Sequence, residues 1–96
     1  MERLRVTWSK TAIRAFYDEA LWYQVNKGGQ FVKSFSENIQ KTINTVSGMP
    51  DIGRLEKEGS RKIYRSVLSH PKCRIYYWHN NHELRVVNLR FTQMNV

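Results

Sequence analysis

Residues 73–91, CRIYYWHNNHELRVVNLRF, decide how this chain folds, because two apolar segments flank a short polar turn. The first segment runs from Cys73 to Trp78, and the second runs from Leu84 to Phe91. The residues between them, His79-Asn80-Asn81-His82, include two asparagines, which tolerate the positive φ that tight turns require. The pattern therefore predicts a β-hairpin.

The segment before this hairpin predicts a third strand, from Ser60 to Ser69, followed by a turn at residues 70–72. Its alternation is ambiguous, because neither face is cleanly apolar: one carries Arg61, Ile63, Arg65 and Val67, and the other carries Lys62, Tyr64 and Leu68. In the last strand the apolar positions change face between Val86 and Val87, which predicts a β-bulge.

The N-terminal half predicts one strand and two helices. Leu4, Val6 and Trp8 alternate with polar residues, which is typical of a half-buried strand, and Ser9 offers a helix cap. The first helix extends to about Asn26 and is stopped by residues 27–29; its apolar face comprises Ile13, Phe16, Ala20 and Tyr23. The second helix ends at Gly48-Met49-Pro50; its apolar face comprises Phe31, Phe35, Ile39, Ile43 and Val46.

Residues 51–59 show neither helical nor strand periodicity, so we interpret them as a surface loop. The order β-α-α-β-β-β predicts an α+β domain with an N-terminal strand. An antiparallel two-helix hairpin packs on one face of a small, mainly antiparallel sheet, and the other face is left open. At 96 residues the chain forms a single domain.

Composition restricts the class of protein. The lone Cys73 excludes an intramolecular disulfide and favours a buried thiol in a reducing compartment. The N-terminus has no apolar leader, and no window approaches the ~18 apolar residues of a membrane span. We expect a cytoplasmic protein that does not enter a membrane. Histidine spacing predicts no metal site, and no motif predicts a cofactor.

The positive charge is concentrated in the C-terminal part. Residues 59–96 contain seven of the 16 Lys and Arg residues and one acidic residue, Glu83, which gives +6 of the total net charge of +8. Neighbouring strands lie only about 4.8 Å apart, so Arg61, Arg65, Arg74 and Arg90 are predicted to form one cluster on the sheet. Guanidinium groups bind phosphates and stabilise charge on them.

Aromatic residues interleave with these arginines and offer faces on which unpaired bases stack. Tyr64, Tyr76, Tyr77 and Trp78 belong to this set. The alternative is that the arginines form a solvated face and the aromatic rings belong to the core. The sequence leaves both interpretations open.

The order and spacing of several motifs resemble those of the RelE/ParE superfamily, the toxins of bacterial type II toxin-antitoxin modules. The opening strand running into residues 6–12, VTWSKTA, resembles the family's start, and residues 49–53, MPDIG, resemble its Pro-x-x-Gly element. Arg65 falls where the family often has a basic residue. Residues 73–77, CRIYY, resemble its most recognisable element, an arginine inside an apolar strand.

The resemblance implies a growth-arresting toxin held inactive by a cognate antitoxin, with operator DNA bound only through the antitoxin complex. Two mechanisms occur in the superfamily. RelE-like toxins enter the ribosome as endoribonucleases and cleave mRNA, whereas ParE-like toxins poison DNA gyrase. An inactive toxin-fold module that binds RNA or antitoxin is the alternative from another class.

Cleavage requires a group that exchanges a proton, and the RelE-like branch commonly has a Tyr or His near its C-terminus for this step. Here none of the last six residues, 91–96, titrates near neutral pH, so Tyr77, Tyr76 or His79 would have to substitute. The catalytic candidates are Arg65 and Arg74, which the resemblance favours, together with Arg90 and Tyr77. The RNA-binding candidates are Arg61, Lys62, Lys72 and Tyr76.

Overall fold

The computed structural model describes residues 3–58, 62–69 and 73–91. Over these ranges the elements are β1 (Arg5–Trp8), α1 (Lys10–Asn26), α2 (Gly29–Gly48), a 3₁₀ turn (Pro50–Ile52), β2 (Arg54–Glu58), β3 (Ile63–Ser69), β4 (Cys73–His79) and β5 (Glu83–Phe91). The strands form one sheet in the order β1-β5-β4-β3-β2. The pair β1 and β5 is parallel and the other pairs are antiparallel, which confirms the predicted α+β architecture.

The prediction of a surface loop over residues 51–59 is wrong, because Arg54–Glu58 form an edge strand that pairs with β3. Its sequence, RLEKE, has four charged residues, and its register shifts between Leu55 and Lys57. Charged residues and bulges are usual on sheet edges, where they prevent pairing with other chains. They also remove the apolar alternation by which a strand is recognised.

The helices largely follow the predicted faces. Ser9 caps α1, since its Oγ accepts a hydrogen bond from the Ala12 N–H at 3.0 Å. Ile13, however, is 42% exposed, whereas its neighbour Ala12 is buried. The buried side of α1 is therefore rotated from the predicted one and is centred on Ala12, Phe16 and Tyr23. In α2 the predicted apolar face packs into the core throughout.

A β-bulge in β5 is confirmed and explains the change of face in its apolar positions. Tyr76 pairs with Asn88 and Tyr77 pairs with Val86, so Val87 has no partner across the ladder. Because of this extra residue, Val86 and Leu89 both point to the helix-covered face. The last strand thus contributes apolar side chains to the core on both sides of the bulge.

The core lies between the helical hairpin and one face of the sheet. Phe35 is at its centre, with its ring centroid 5.4 Å from Phe16, 5.1 Å from Tyr23 and 5.6 Å from Phe91. Aromatic packing of this kind binds α1, α2 and β5 together. Neither helix in the described ranges has the length and apolar content needed to cross a membrane.

Candidate functional site

The strand register places Arg65 and Arg74 on opposite faces of the sheet. Arg65 pairs with Tyr77, whereas Arg74 pairs with Leu68 on one side and with Arg90 on the other. Residues that pair directly point to the same face, and faces alternate along a strand. Tyr77 is buried under the helices, so Arg65 shares the covered face. The prediction that all these arginines converge on one patch is therefore wrong.

Arg65 is bound by the turn that follows α2. Its Nη1 donates to the carbonyl of Gly53 at 3.1 Å and to the carbonyl of Asp51 at 3.3 Å. Its Nη2 lies 3.7 Å from Asp51 Oδ1. The guanidinium thus closes the Pro-x-x-Gly turn onto β3, and it already has a carboxylate partner within the chain.

Tyr77 fixes the same turn from inside the core. Its hydroxyl donates to the carbonyl of Pro50 at 2.7 Å and accepts the N–H of Gly53 at 3.1 Å. The side chain has no exposed surface, and burial raises the pKa of its hydroxyl. Tyr77 is therefore not on the surface where a substrate would lie, and the prediction that it takes part in catalysis conflicts with this placement.

The open face brings together three of the predicted residues, Arg74, Arg90 and Tyr76. Arg74 and Arg90 are directly paired across β4 and β5. Tyr76 lies beside them and lines a groove of about 470 Å³ with Tyr64, Lys57 and Arg90. Cations and aromatic rings are thus adjacent on an accessible surface. This combination suits a polyanion with planar groups.

A hydrogen-bond chain that the sequence did not reveal orients Arg74. Its Nη1 donates to Ser66 Oγ at 2.7 Å, and Ser66 Oγ donates to Glu56 Oε2. Arg54 binds the same carboxylate through Nε and Nη2, at 2.9 and 2.7 Å. The hydrogen bond from Ser66, followed by that from Arg54, lowers the pKa of Glu56 below 4.5. Sequence reasoning could have found Glu56 and Ser66 only by recognising β2 as a strand.

The remaining predicted residues fall in different places. Lys62 is exposed, with its Nζ 4.5 Å from the centroid of the Trp78 ring. His79 Nε2 lies 3.1 Å from Asp51 Oδ1. Arg61 and Lys72 lie outside the described residues.

Other reactive groups give no site. Within residues 3–58, 62–69 and 73–91, no three His, Cys, Asp or Glu side chains are grouped so as to hold a metal ion. Cys73 is buried, and burial raises the pKa of its thiol to about 12. The thiol therefore stays protonated at neutral pH.

Comparison with known proteins identifies relatives of this arrangement. The sequence model of the ParE toxin of the type II toxin-antitoxin system parDE matches residues 6–95. No curated protein matches the sequence significantly.

Two solved structures are similar to this chain to different degrees. A chain of the chromosomal ParDE toxin-antitoxin system from P. aeruginosa is similar with a TM-score of 0.74 and 11% identity, over 95% of this chain and 98% of that one. A chain of the YoeB dimer from Staphylococcus aureus has a TM-score of 0.49 and 23% identity, over 95% and 99%. At 11% identity the likeness to the ParDE chain concerns the fold.

Proposed function

This chain belongs to the family of ParE toxins of type II toxin-antitoxin systems, and from that premise we propose that it arrests bacterial growth by poisoning DNA gyrase. A toxin of a type II system has a cognate antitoxin as its partner. The target and the mechanism are the proposal.

The observation that supports gyrase poisoning over mRNA cleavage is the use of Tyr77 and Arg65 within the fold. The Tyr77 hydroxyl both donates and accepts a hydrogen bond within the Pro-x-x-Gly turn, and Arg65 is bound to the same turn. Cleavage needs a group that exchanges a proton with the ribose or the leaving oxygen. Arg74 and Arg90 on the open face remain protonated at physiological pH and bind anions without exchanging protons.

The open face supports binding to a complex that contains DNA. Arg74 and Arg90, which are partners across β4 and β5, can contact neighbouring phosphates, and the hydrogen bond that Arg74 donates to Ser66 limits the motion of its guanidinium. A toxin that stabilises a gyrase-DNA complex needs such contacts and no chemistry of its own.

Ribosome-dependent mRNA cleavage is the second candidate, and Tyr76 favours it. Its ring lies on the open face in the groove that also contains Arg90. A tyrosine hydroxyl beside a guanidinium can donate a proton in RNA cleavage. The two mechanisms thus predict different consequences for Tyr76, because replacing it with Phe removes only the hydroxyl.

The exposed side of α1 supports a site for the antitoxin. Ile13, Tyr17, Leu21 and Val25 recur every four residues and are 42%, 66%, 65% and 75% exposed. Contiguous exposed apolar side chains mark protein interaction surfaces. We therefore propose that the antitoxin covers this stripe.

The stripe can be tested with Leu21→Asp, which puts a charge into the apolar surface. Growth arrest should persist, while neutralisation by the co-expressed cognate antitoxin should be lost. Ser34→Asp at an exposed position of α2 adds the same single negative charge and serves as the control. Neutralisation of the Leu21→Asp variant at the wild-type level would place the antitoxin elsewhere.

The target is tested with purified protein in two assays. Accumulated gyrase-DNA cleavage complexes, with intact mRNA in a translating extract, are expected. Codon-positioned mRNA breaks that disappear in Tyr76→Phe would establish the second candidate. Undiminished growth on expression without antitoxin, in a chain that folds, would leave the inactive binding module as the function.

A further inference from the structure

A pocket of about 370 Å³ lies beside the Pro-x-x-Gly turn, separate from the groove of the open face. Its lining includes Asp51, Lys62, Ile63, Arg65, Trp78 and His79. We propose that this pocket binds an acidic segment of a partner protein, and that an aspartate or glutamate of the partner takes the place that the Asp51 carboxylate occupies. Nothing in the gyrase proposal depends on this site.

The cationic side of the pocket is held in position before any partner arrives. Arg65, which lines the pocket, is fixed by the carbonyls of Asp51 and Gly53, so its guanidinium is in place without further ordering. The side chains of Arg65 and His79 are each only 23% exposed. A prearranged guanidinium loses little conformational entropy when it binds a carboxylate.

The carboxylate that sits there now is weakly held. Asp51 is 79% exposed, and its Oδ1 is 3.1 Å from His79 Nε2 and 3.7 Å from Arg65 Nη2. Exposed ion pairs of this kind contribute about 0.2–1 kcal/mol. A partner that excludes water from the pocket would form a stronger contact with the Arg65 guanidinium and with His79 Nε2 than the exposed Asp51 carboxylate does. The Asp51 carboxylate therefore marks the position that the partner's carboxylate would take, and it is held there too weakly to prevent the exchange.

The walls of the pocket favour a peptide over a nucleic-acid backbone. Ile63 is 45% exposed, and the Trp78 ring is covered by Lys62 Nζ at 4.5 Å. An apolar side chain next to the partner's carboxylate can pack on Ile63, whereas a phosphodiester would leave it unused. Lys62 adds a second cation to that of Arg65 in the lining of the pocket. The net charge of +8 further favours an acidic partner.

The test is an NMR titration of the full chain with the blocked tetrapeptide acetyl-Leu-Asp-Glu-Leu-amide. The control is the matched uncharged peptide, in which Asn replaces Asp and Gln replaces Glu. We expect the acidic peptide alone to shift the indole N–H of Trp78 and the amides of residues 62–65 and 79. Asp51→Asn should tighten the apparent Kd about twofold to fivefold, because it removes the competing charge.

Lys62→Ala should weaken binding, whereas Lys41→Ala, which removes the same charge from α2, should leave the Kd unchanged. The proposal is overturned if Asp51→Asn leaves the Kd for the acidic peptide unchanged or raises it. It is also overturned if neither the wild type nor Asp51→Asn binds the peptide. Equal shifts with the uncharged peptide, or shifts confined to Tyr76 and Arg90, would also overturn it. Displacement of the peptide by inorganic phosphate at equal concentration would identify the ligand as a phosphate instead. Gyrase assays on the same variants report on the other proposal independently.

Discussion

At the residue scale, the contact between Gly53 and Tyr77 determines how the turn after α2 meets the sheet. Gly53 has an extended backbone, so its lack of a side chain matters for space and not for strain. A Cβ there would collide with the Tyr77 hydroxyl and would lie 3.0 Å from the carbonyl of Ser66. The backbone of the turn can approach β3 and β4 only because this residue is glycine.

We expect Gly53→Ala to lower the free energy of unfolding by about 1–3 kcal/mol, because the turn must move away from Tyr77. Urea unfolding followed by tryptophan fluorescence measures the change. Gly29→Ala is the matched control, since an added Cβ there meets only the flexible Gln24 side chain at 3.8 Å. Equal stability of the two variants would show that the close approach of Gly53 to Tyr77 does not affect the free energy of unfolding.

Tyr77→Phe separates a structural role from a catalytic one. Loss of the hydroxyl leaves the buried N–H of Gly53 and the carbonyl of Pro50 without this partner, which costs about 1–3 kcal/mol. We expect lower stability in urea and unchanged growth arrest at a temperature where the variant is folded. A stable variant that has lost growth arrest would instead return Tyr77 to the functional site.

At the element scale, side-chain hydrogen bonds hold β2 on the sheet more than apolar contacts do. Glu56 accepts a hydrogen bond from Ser66, which ties β2 to β3, and Ser66 in turn accepts one from Arg74 on β4. Arg54, on β2 itself, donates to the same carboxylate. Three strands are thus coupled by one carboxylate. The position of Arg74 depends on a strand that contributes little to the core.

The carboxylate of Glu56 should make stability depend on pH. Its pKa is lower in the folded chain than the ordinary 4.5, so its contribution is fully present above that value and is lost as pH falls through the folded pKa. We expect unfolding midpoints of the wild type to fall more steeply than those of Glu56→Gln between about pH 5 and about pH 3. Parallel pH curves for the two proteins would contradict this assignment.

At the scale of the whole molecule, the two faces of the sheet carry different sets of residues. The covered face carries the core and the turn bound by Arg65 and Tyr77, while the open face carries Arg74, Arg90 and their groove. The stripe on α1 faces a third direction. A toxin whose target and antitoxin use different surfaces can be altered at one without losing the other.

Arg74→Ala tests this separation. It should reduce growth arrest about tenfold or more by removing a charge-assisted contact, while complex formation with the co-expressed antitoxin stays intact in co-purification. Lys41→Ala on α2 is the control for loss of one charge. Full toxicity of the Arg74→Ala variant would exclude the open face as the site that meets the target.

Local periodicity was enough to predict most of the elements. The spacing of Phe35, Ile39 and Ile43 determined the buried face of α2, and Ser9 marked the start of α1, because helix geometry relates residues three and four apart without reference to the rest of the chain. The change of face at Val87 likewise predicted the bulge in β5. Of the predicted four-arginine cluster, only the proximity of Arg74 and Arg90 is confirmed, and these two lie on strands joined by a short turn.

Tertiary structure alone decided which face each arginine occupies and what Tyr77 does. Arg65 and Arg74 belong to different strands, and whether they lie on the same face depends on the register between β3 and β4. The turn that binds Arg65 and Tyr77 is 12 to 27 residues away along the chain. Contacts over such separations form only when the helical hairpin packs on the sheet, because no local pattern specifies which distant backbone groups will become buried together.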